Sequence, residues 1–259
     1  MQSSLRTAGL FLRRLRPGAI WYVDIKTGWA AWRGKVDLTA ENPKDLLFGQ
    51  LALVAKALSS PNRLQLLEFL AQGERGVDRL AAMSAMSVAN TSQHLQALRH
   101  SGLVKSRKSG QNVIYSLSDE SVVDILGMLR VIAEKNLAEM GRLVREYLKT
   151  RDAMEPVLAA DLLDRARKGL VTVLDVRPED EYAAGHVAGA VNVPIKKLEQ
   201  YIKKLSPGKE VVAYCRGAYC LLSFDAMEML RAKGIKARRL ADGFPEWKRA
   251  GLPIERGKP

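Results

Sequence analysis

Cysteine is nearly missing from this chain: among 259 residues only Cys215 and Cys220 carry thiols. A secreted scaffold stapled by disulfides uses many more, so that class is excluded. Two thiols this close point to a reduced compartment, the cytoplasm, and to chemistry at one place. Long apolar runs are missing too. None approaches the ~18 residues of a membrane span, so no membrane partner is expected. Charge is less balanced, with a net +13. The excess is spread over residues 1–40, 41–118 and 151–259, so it supports a polyanionic partner only weakly. Hydrophobic content of 47% suffices for packed cores, and the length fits one large or two ordinary domains.

Residues 1–40 form a leader of open order, to which no function is assigned. Leu10 to Arg16 (LFLRRLR) is basic and partly apolar, and Pro17-Gly18 breaks it. It is too short for a secretory core, and no small-residue cleavage site follows. The stretch IWYVDIKTGWAAWRGKV reads as a hairpin around Lys26-Thr27-Gly28. An upstream start codon adding an unstructured leader is the other reading.

From Pro43 the pattern turns helical. Leu46, Leu47, Leu51, Val54 and Leu58 recur at three- and four-residue steps. Ser60-Pro61 restarts a helix that buries Leu64, Leu67 and Leu70 and stops near Gly73; a short helix follows over 77–85, packing Leu80. Ser87 caps a helix running to about His100, with Gly102 as its stop. Val88, Leu95 and Leu98 form its apolar stripe. Asn90, Gln93 and Ala97 face outward, with Ser92 at the flank. Amide side chains in the N-terminal half of such a helix can bond adenine in the major groove. LVKSRKSGQNVIYSLS then reads as two strands about Ser109-Gly110, with Val113, Tyr115 and Leu117 inward. Lys105, Arg107 and Lys108 cluster on that hairpin, where they can meet phosphates.

This order of helices and basic wing, carried by ALSSPNRLQLLEFL and VANTSQHLQALRHSGLVKSRKSGQNVIYSLS, resembles the ArsR family of winged helix-turn-helix regulators. The resemblance implies a DNA-binding domain over residues 41–118, with Ser87, Asn90, Ser92, Gln93, Lys105, Arg107 and Lys108 at a double-stranded operator. His94 falls where the family has a histidine on the rim of the core, and a structural or phosphate-bonding role is expected there. Many family members bind metal through cysteines near the short helix, or through Asp and His on the last helix. Residues 74–86 and 119–150 hold neither Cys nor His, so no metal or cofactor is expected. Residues 119–150 read as one long helix whose apolar stripe, from Val122 to Tyr147, exceeds what a small domain covers. In the family that helix pairs two subunits, and a two-fold dimer matches DNA half-sites. Packing of the stripe on the second domain is the alternative.

Beyond Met154, strands alternate with helices: VTVLDV, EVVAYC and IKARRL among helices over 159–168, 196–204, 221–233 and 245–250. That pattern implies a mostly parallel sheet covered on both faces. The loop CRGAYC joins the end of a strand at Cys215 to a helix from Leu221. Main-chain donors and the helix dipole there favour a thiolate. VLDVRPEDEYAAGHVAGAVNVP and LADGFPEWKRAGLPIE are similar to the motifs of a single-domain rhodanese, over about residues 154–256, which implies a rhodanese-like domain over 154–259. The resemblance makes Cys215 the sulfur-accepting nucleophile and Arg216 its basic neighbour. Relatives with a Cys-x5-Arg loop handle phosphate; here that last position is Leu221, which argues against phosphatase chemistry. Asp175, Arg177 and His186 are catalytic by type. Asp175 and Arg177 are expected to support the loop, with Glu181 as the ion-pair partner, and His186 to be structural. Cys220 is either a small buried thiol or a resolving one.

The fold class expected is thus two domains, a mainly α winged helix-turn-helix followed by an α/β rhodanese-like domain with a parallel sheet. Three functions follow. A dimeric regulator could sense or transfer reactive sulfur through a persulfide at Cys215, its partners being operator DNA and a sulfane-sulfur donor or thiol acceptor. A sulfurtransferase could be localised by its DNA-binding domain. A partner-binding rhodanese fold is the third, against which the intact cysteine argues.

Overall fold

In a computed structural model the structure describes residues 10–14, 20–24, 29–32, 42–149, 152, 154–205 and 208–257. The chain divides into two compact units, residues 1–52 and 53–259. In the first, β1 (Leu10–Arg14), β2 (Ile20–Asp24) and β3 (Trp29–Trp32) form an antiparallel meander. β2 and β3 pair Trp21 with Trp32, as the hairpin reading requires. Its Lys26-Thr27-Gly28 turn, like Pro17-Gly18, lies outside the described residues. Helix α1 (Pro43–Leu58) leaves Leu47, Phe48 and Leu51 exposed.

The second unit opens with α2 (Pro61–Ala71), β4 (Arg75–Gly76), α3 (Val77–Ser84), α4 (Val88–His100), β5 (Val104–Ser109) and β6 (Asn112–Leu117). The strands form an antiparallel sheet, β4-β6-β5. Leu66, Leu67, Leu70, Leu80, Leu95, Leu98 and Tyr115 share one core. α3 ends on Ala85 at φ 54°, a left-handed turn that swings the chain into α4. The buried line of α4 is Thr91, Leu95 and Leu98, the i, i+4, i+7 spacing of one helix face. That rotation corrects two expectations: Val88 lies beyond the core edge and is exposed, while Ala97 is buried rather than outward. On the wing Tyr115 is buried, but Val113 near the hairpin tip is exposed, out of reach of the core.

The long helix expected over 119–150 is interrupted. α5 (Ser121–Asn136) ends at Leu137, whose backbone is extended, before α6 (Ala138–Leu143) and a π-helical turn, Val144–Lys149. The Asn136 carboxamide donates to the Ile132 carbonyl at 2.9 Å, a side-chain bond that competes with the helical ladder.

The remainder comprises α7 (Ala159–Arg167), β7 (Val171–Asp175), α8 (Glu179–Ala184), β8 (His186–Val187), β9 (Val191–Asn192), α9 (Leu198–Ile202), β10 (Glu210–Tyr214), α10 (Leu221–Ala232), β11 (Ala237–Arg239), α11 (Phe244–Arg249) and β12 (Ile254–Glu255). A parallel sheet runs β11-β10-β7-β9, with β8 and β12 as a separate antiparallel pair. Along β10, Val211, Ala213 and Cys215 join one apolar cluster and Val212 and Tyr214 another. The sheet is therefore buried on both faces, as βαβ crossovers demand.

Candidate functional site

β10 pairs on both sides, and its five residues are buried. The chain leaves its C-terminal end at Cys215 and re-enters helix at Leu221, so the loop stands at the edge where open α/β sheets bind ligands. Cys215 and Cys220 are joined in a disulfide, their Cα atoms 6.2 Å apart. The sulfurs, whose meeting the spacing alone left open, do meet. Cys215 is 1% exposed. In this form neither sulfur is a thiolate, so the lowered pKa expected of Cys215 concerns the reduced protein.

Behind the loop lies a buried ion pair. Arg177 Nε and Nη2 reach the Asp175 carboxylate at 3.0 and 2.6 Å, and both side chains are fully buried. Charges this deep cost several kcal/mol each unless satisfied. Further bonds do so: Arg177 Nη2 donates to the Gly185 carbonyl at 2.7 Å, and the Tyr214 hydroxyl, one residue before Cys215, donates to Asp175 at 2.6 Å. Burial, then the Asp175 charge, holds that phenol well above its usual pKa. The expected Arg177–Glu181 pair is corrected: Glu181 takes Arg216 at 2.7 Å, because Asp175 already occupies the Arg177 fork. Arg216 is thus drawn toward α8. His186 braces its turn, with Nδ1 2.9 Å from the Tyr182 carbonyl and its ring stacked on Tyr182 at 3.5 Å.

Sequence reasoning missed the groups that close the loop. Gly243 leaves no space for a β-carbon, which would sit 2.3 Å from the Arg216 carbonyl carbon and oxygen. The Phe244 amide donates to the Cys215 carbonyl at 3.1 Å. From the helical part, Gln72 Nε2 donates to the Arg216 carbonyl at 3.1 Å, and Arg177 Nη1 donates to Gln72 Oε1 at 3.0 Å. The Arg216 guanidinium lies over the Phe69 ring at 5.2 Å. Glu68 faces Gly217, and burial raises its pKa against the opposing pull of Arg216. The Tyr219 hydroxyl donates to Glu134 on α5. No local motif announces these contacts, since each joins residues far apart in the chain.

On α4, the Ser87 hydroxyl accepts from the Asn90 amide at 3.2 Å, the cap expected of it. Asn90 and Gln93 are exposed and Ser92 half-buried. Lys105 and Lys108 are exposed on the wing, whereas Arg107 is paired with Glu74. His94 Nε2 lies 3.4 Å from the Asn62 carboxamide, and burial followed by the Arg63 charge lowers its pKa. Among the described residues no three His, Cys, Asp or Glu side chains are grouped to hold a metal ion, and no helix is long and apolar enough to cross a membrane.

Two family models match the chain: "Bacterial regulatory protein, arsR family" over residues 60–106 and "Rhodanese-like domain" over residues 158–250. The HTH-type transcriptional regulator Rv0324 of Mycobacterium tuberculosis is 40% identical over 216 residues, 83% of this chain and 95% of that protein. A solved homodimeric winged helix-turn-helix DNA-binding domain of Mycobacterium bovis, from a possible ArsR-family regulator, is 36% identical; the match covers 41% of this chain and 94% of that one, with a TM-score of 0.35. A solved rhodanese-related protein of Thermoplasma volcanium is 30% identical over 39% of this chain and 98% of its own, with a TM-score of 0.36.

Proposed function

Because the chain belongs to the ArsR family of DNA-binding transcriptional regulators and carries a rhodanese-like domain, we propose that it is a dimeric repressor whose grip on operator DNA is set by sulfur chemistry at Cys215. In this reading residues 41–118 grip DNA, 119–150 join two subunits, and 154–259 handle sulfur. The observation that carries it is the bond between Cys215 and Cys220 across the loop.

The chemistry needs two displacements. The Cys215 thiolate attacks the outer sulfur of a persulfide donor R–S–SH; a Cys215–S–SH bond forms and R–S⁻ leaves. The Cys220 thiolate then attacks the inner sulfur, closing the disulfide and releasing HS⁻. Asp175 and Arg177 brace the strand end below the nucleophile, and Arg216 anchors the loop through Glu181. Dimerisation is supported by Met128, Leu129 and Ile132 on α5, Leu137 just after it and Tyr147 in the π-helical turn, all exposed. A sulfurtransferase localised on DNA is the second reading, favoured by the position of the loop at the strand-end edge of a parallel sheet. A Cys215 so deeply buried and sealed by Cys220 suits one event per molecule better than turnover.

Gel-shift titration of reduced protein with and without polysulfide tests the proposal, with mass spectrometry alongside. Treated wild type should carry a persulfide or the disulfide and change its DNA affinity about tenfold, ~1.4 kcal/mol. Cys215→Ser should not respond. Equal responses from both proteins would defeat the sensing role, and steady turnover of thiosulfate by the wild type would favour the enzyme.

A further inference from the structure

Gln72 is where a side chain of the DNA-binding half hydrogen-bonds the main chain of the sulfur loop, and it is 2% exposed at the end of α2. A buried carboxamide must use its hydrogen-bonding groups or lose stability. Here Oε1 accepts from Arg177 Nη1, while Nε2 donates to the carbonyls of Arg216 and Glu68, at 3.1 and 3.2 Å. One side chain therefore ties the buried Asp175–Arg177 pair to the peptide that follows Cys215. Gly243 presses on that same peptide, with Arg216 and Gly217 backbone atoms within 2.4 Å of where its β-carbon would stand. The peptide is held between two fixed groups.

The path onward is packed. Leu66, Leu67 and Leu70 of α2 share a core with Leu95 and Leu98 of α4. Close-packed interiors transmit displacement rather than absorb it. Beside Gln72 an open cleft of about 820 Å³ is lined by both parts, Gly73, Lys105 and Glu120 from one and Phe244 and Lys248 from the other.

We propose that Gln72 is a positioning residue for the sulfur loop, and that it couples the state of Cys215 to α2 and so to the DNA-reading helix. This rests on the reading that Cys215 carries the sulfur chemistry. Opening the disulfide frees the Arg216 peptide to move, and Gln72 is the group that must follow or let go. Coupling of this kind is reciprocal, so bound DNA also alters the reactivity of the loop.

Two variants of the full chain test it. Gln72→Met keeps the volume but removes all three hydrogen bonds; Gln72→Glu keeps the acceptor for Arg177 and loses the donor to Arg216. The first readout is the rate at which a neutral water-soluble phosphine reduces the disulfide. Gln72→Met should react roughly fivefold faster, the scale of one buried hydrogen bond, and Gln72→Glu at least as fast, since a carboxylate oxygen would there face the Arg216 and Glu68 carbonyls. The second is the ratio of affinities of reduced and disulfide forms for a duplex selected from a random library by reduced wild type. That ratio should shrink toward unity in both variants, since neither keeps a donor for the Arg216 carbonyl. Unchanged reduction rates in folded variants, or an affinity ratio equal to that of wild type, would overturn the proposal. Should Gln72→Met fail to fold, Gln72→Glu alone decides by the same two criteria. If polysulfide leaves the reduced wild type with neither a persulfide nor the disulfide, the sensing reading fails, while the phosphine rates still decide whether Gln72 positions the loop.

Discussion

Gly243 stands at φ −110°, a backbone conformation open to any residue, so its requirement is for space. The atoms that a β-carbon would meet are all main chain, at 2.3–2.4 Å, and cannot rotate aside. Gly243→Ala should cost about 1–3 kcal/mol, the range for overpacking a filled site, and lower the thermal midpoint; an unchanged melt would show that the loop yields freely. Glu68 supplies a pH test. Its carboxyl has a raised pKa, chiefly from burial, so the folded state holds this proton more tightly than the unfolded chain does. Stability from this group is therefore lost as pH rises from the ordinary carboxylate range through the raised value. Glu68→Gln should melt higher than wild type at neutral pH, and the difference should fade on acidification; parallel melting curves across that range would contradict it. Ser87 and the place of Cys215 were legible because a helix cap and a cysteine at the end of a strand are local patterns. Gln72 was not, because its partner Arg216 lies 144 residues away, and a glutamine before a glycine reads simply as a helix end.

Elements were legible wherever one face repeats. The period of Leu95 and Leu98 fixed α4, and alternation of strand and helix fixed the parallel sheet. Periodicity fails where an apolar stripe crosses a backbone break: the stripe continues through Leu137, but the helix stops there. Rotation about a helix axis is likewise finer than a stripe can define, hence the misplacement of Val88 and Ala97. For α4 and its wing the expected readouts separate. Gln93→Ala, on the exposed amide face, should weaken specific binding by ~1–3 kcal/mol and leave random DNA little affected. Lys108→Ala should weaken both alike and flatten the salt dependence by about one unit of slope. Arg107→Ala should do less than Lys108→Ala, since Glu74 already holds Arg107. Equal losses on specific and random DNA from Gln93→Ala would mean that another face reads the bases.

At the scale of the whole molecule, the apolar residues left uncovered on α5 and at Leu137 after it bear on whether the chain acts alone. Met128, Ile132 and Leu137 are each more than half exposed, and exposed large apolar side chains at these positions are what the proposed dimer would cover. The polar side of α5 is engaged elsewhere: Asp124 pairs with Arg249, Arg130 with Asp242, and Tyr219 donates to Glu134. Packing on the rhodanese-like part therefore uses charged groups of the helix; Val122 and Val123 at its start are buried, and Met128, Leu129 and Ile132 further along the stripe are left exposed. A second copy of the chain meeting that stripe about a two-fold axis would bury it and present two recognition helices to two half-sites. Ile132→Asp is a clean probe, because a carboxylate there is solvated in the monomer and desolvated in the dimer. Sedimentation should show wild type as a dimer and the variant as a monomer with an unchanged circular dichroism spectrum. DNA affinity should fall with it, since each subunit then binds one half-site without the effective concentration that its partner supplies. A variant that still sediments as a dimer would move the interface off this stripe, and the two-fold arrangement of the DNA-reading helices would need another surface to hold it.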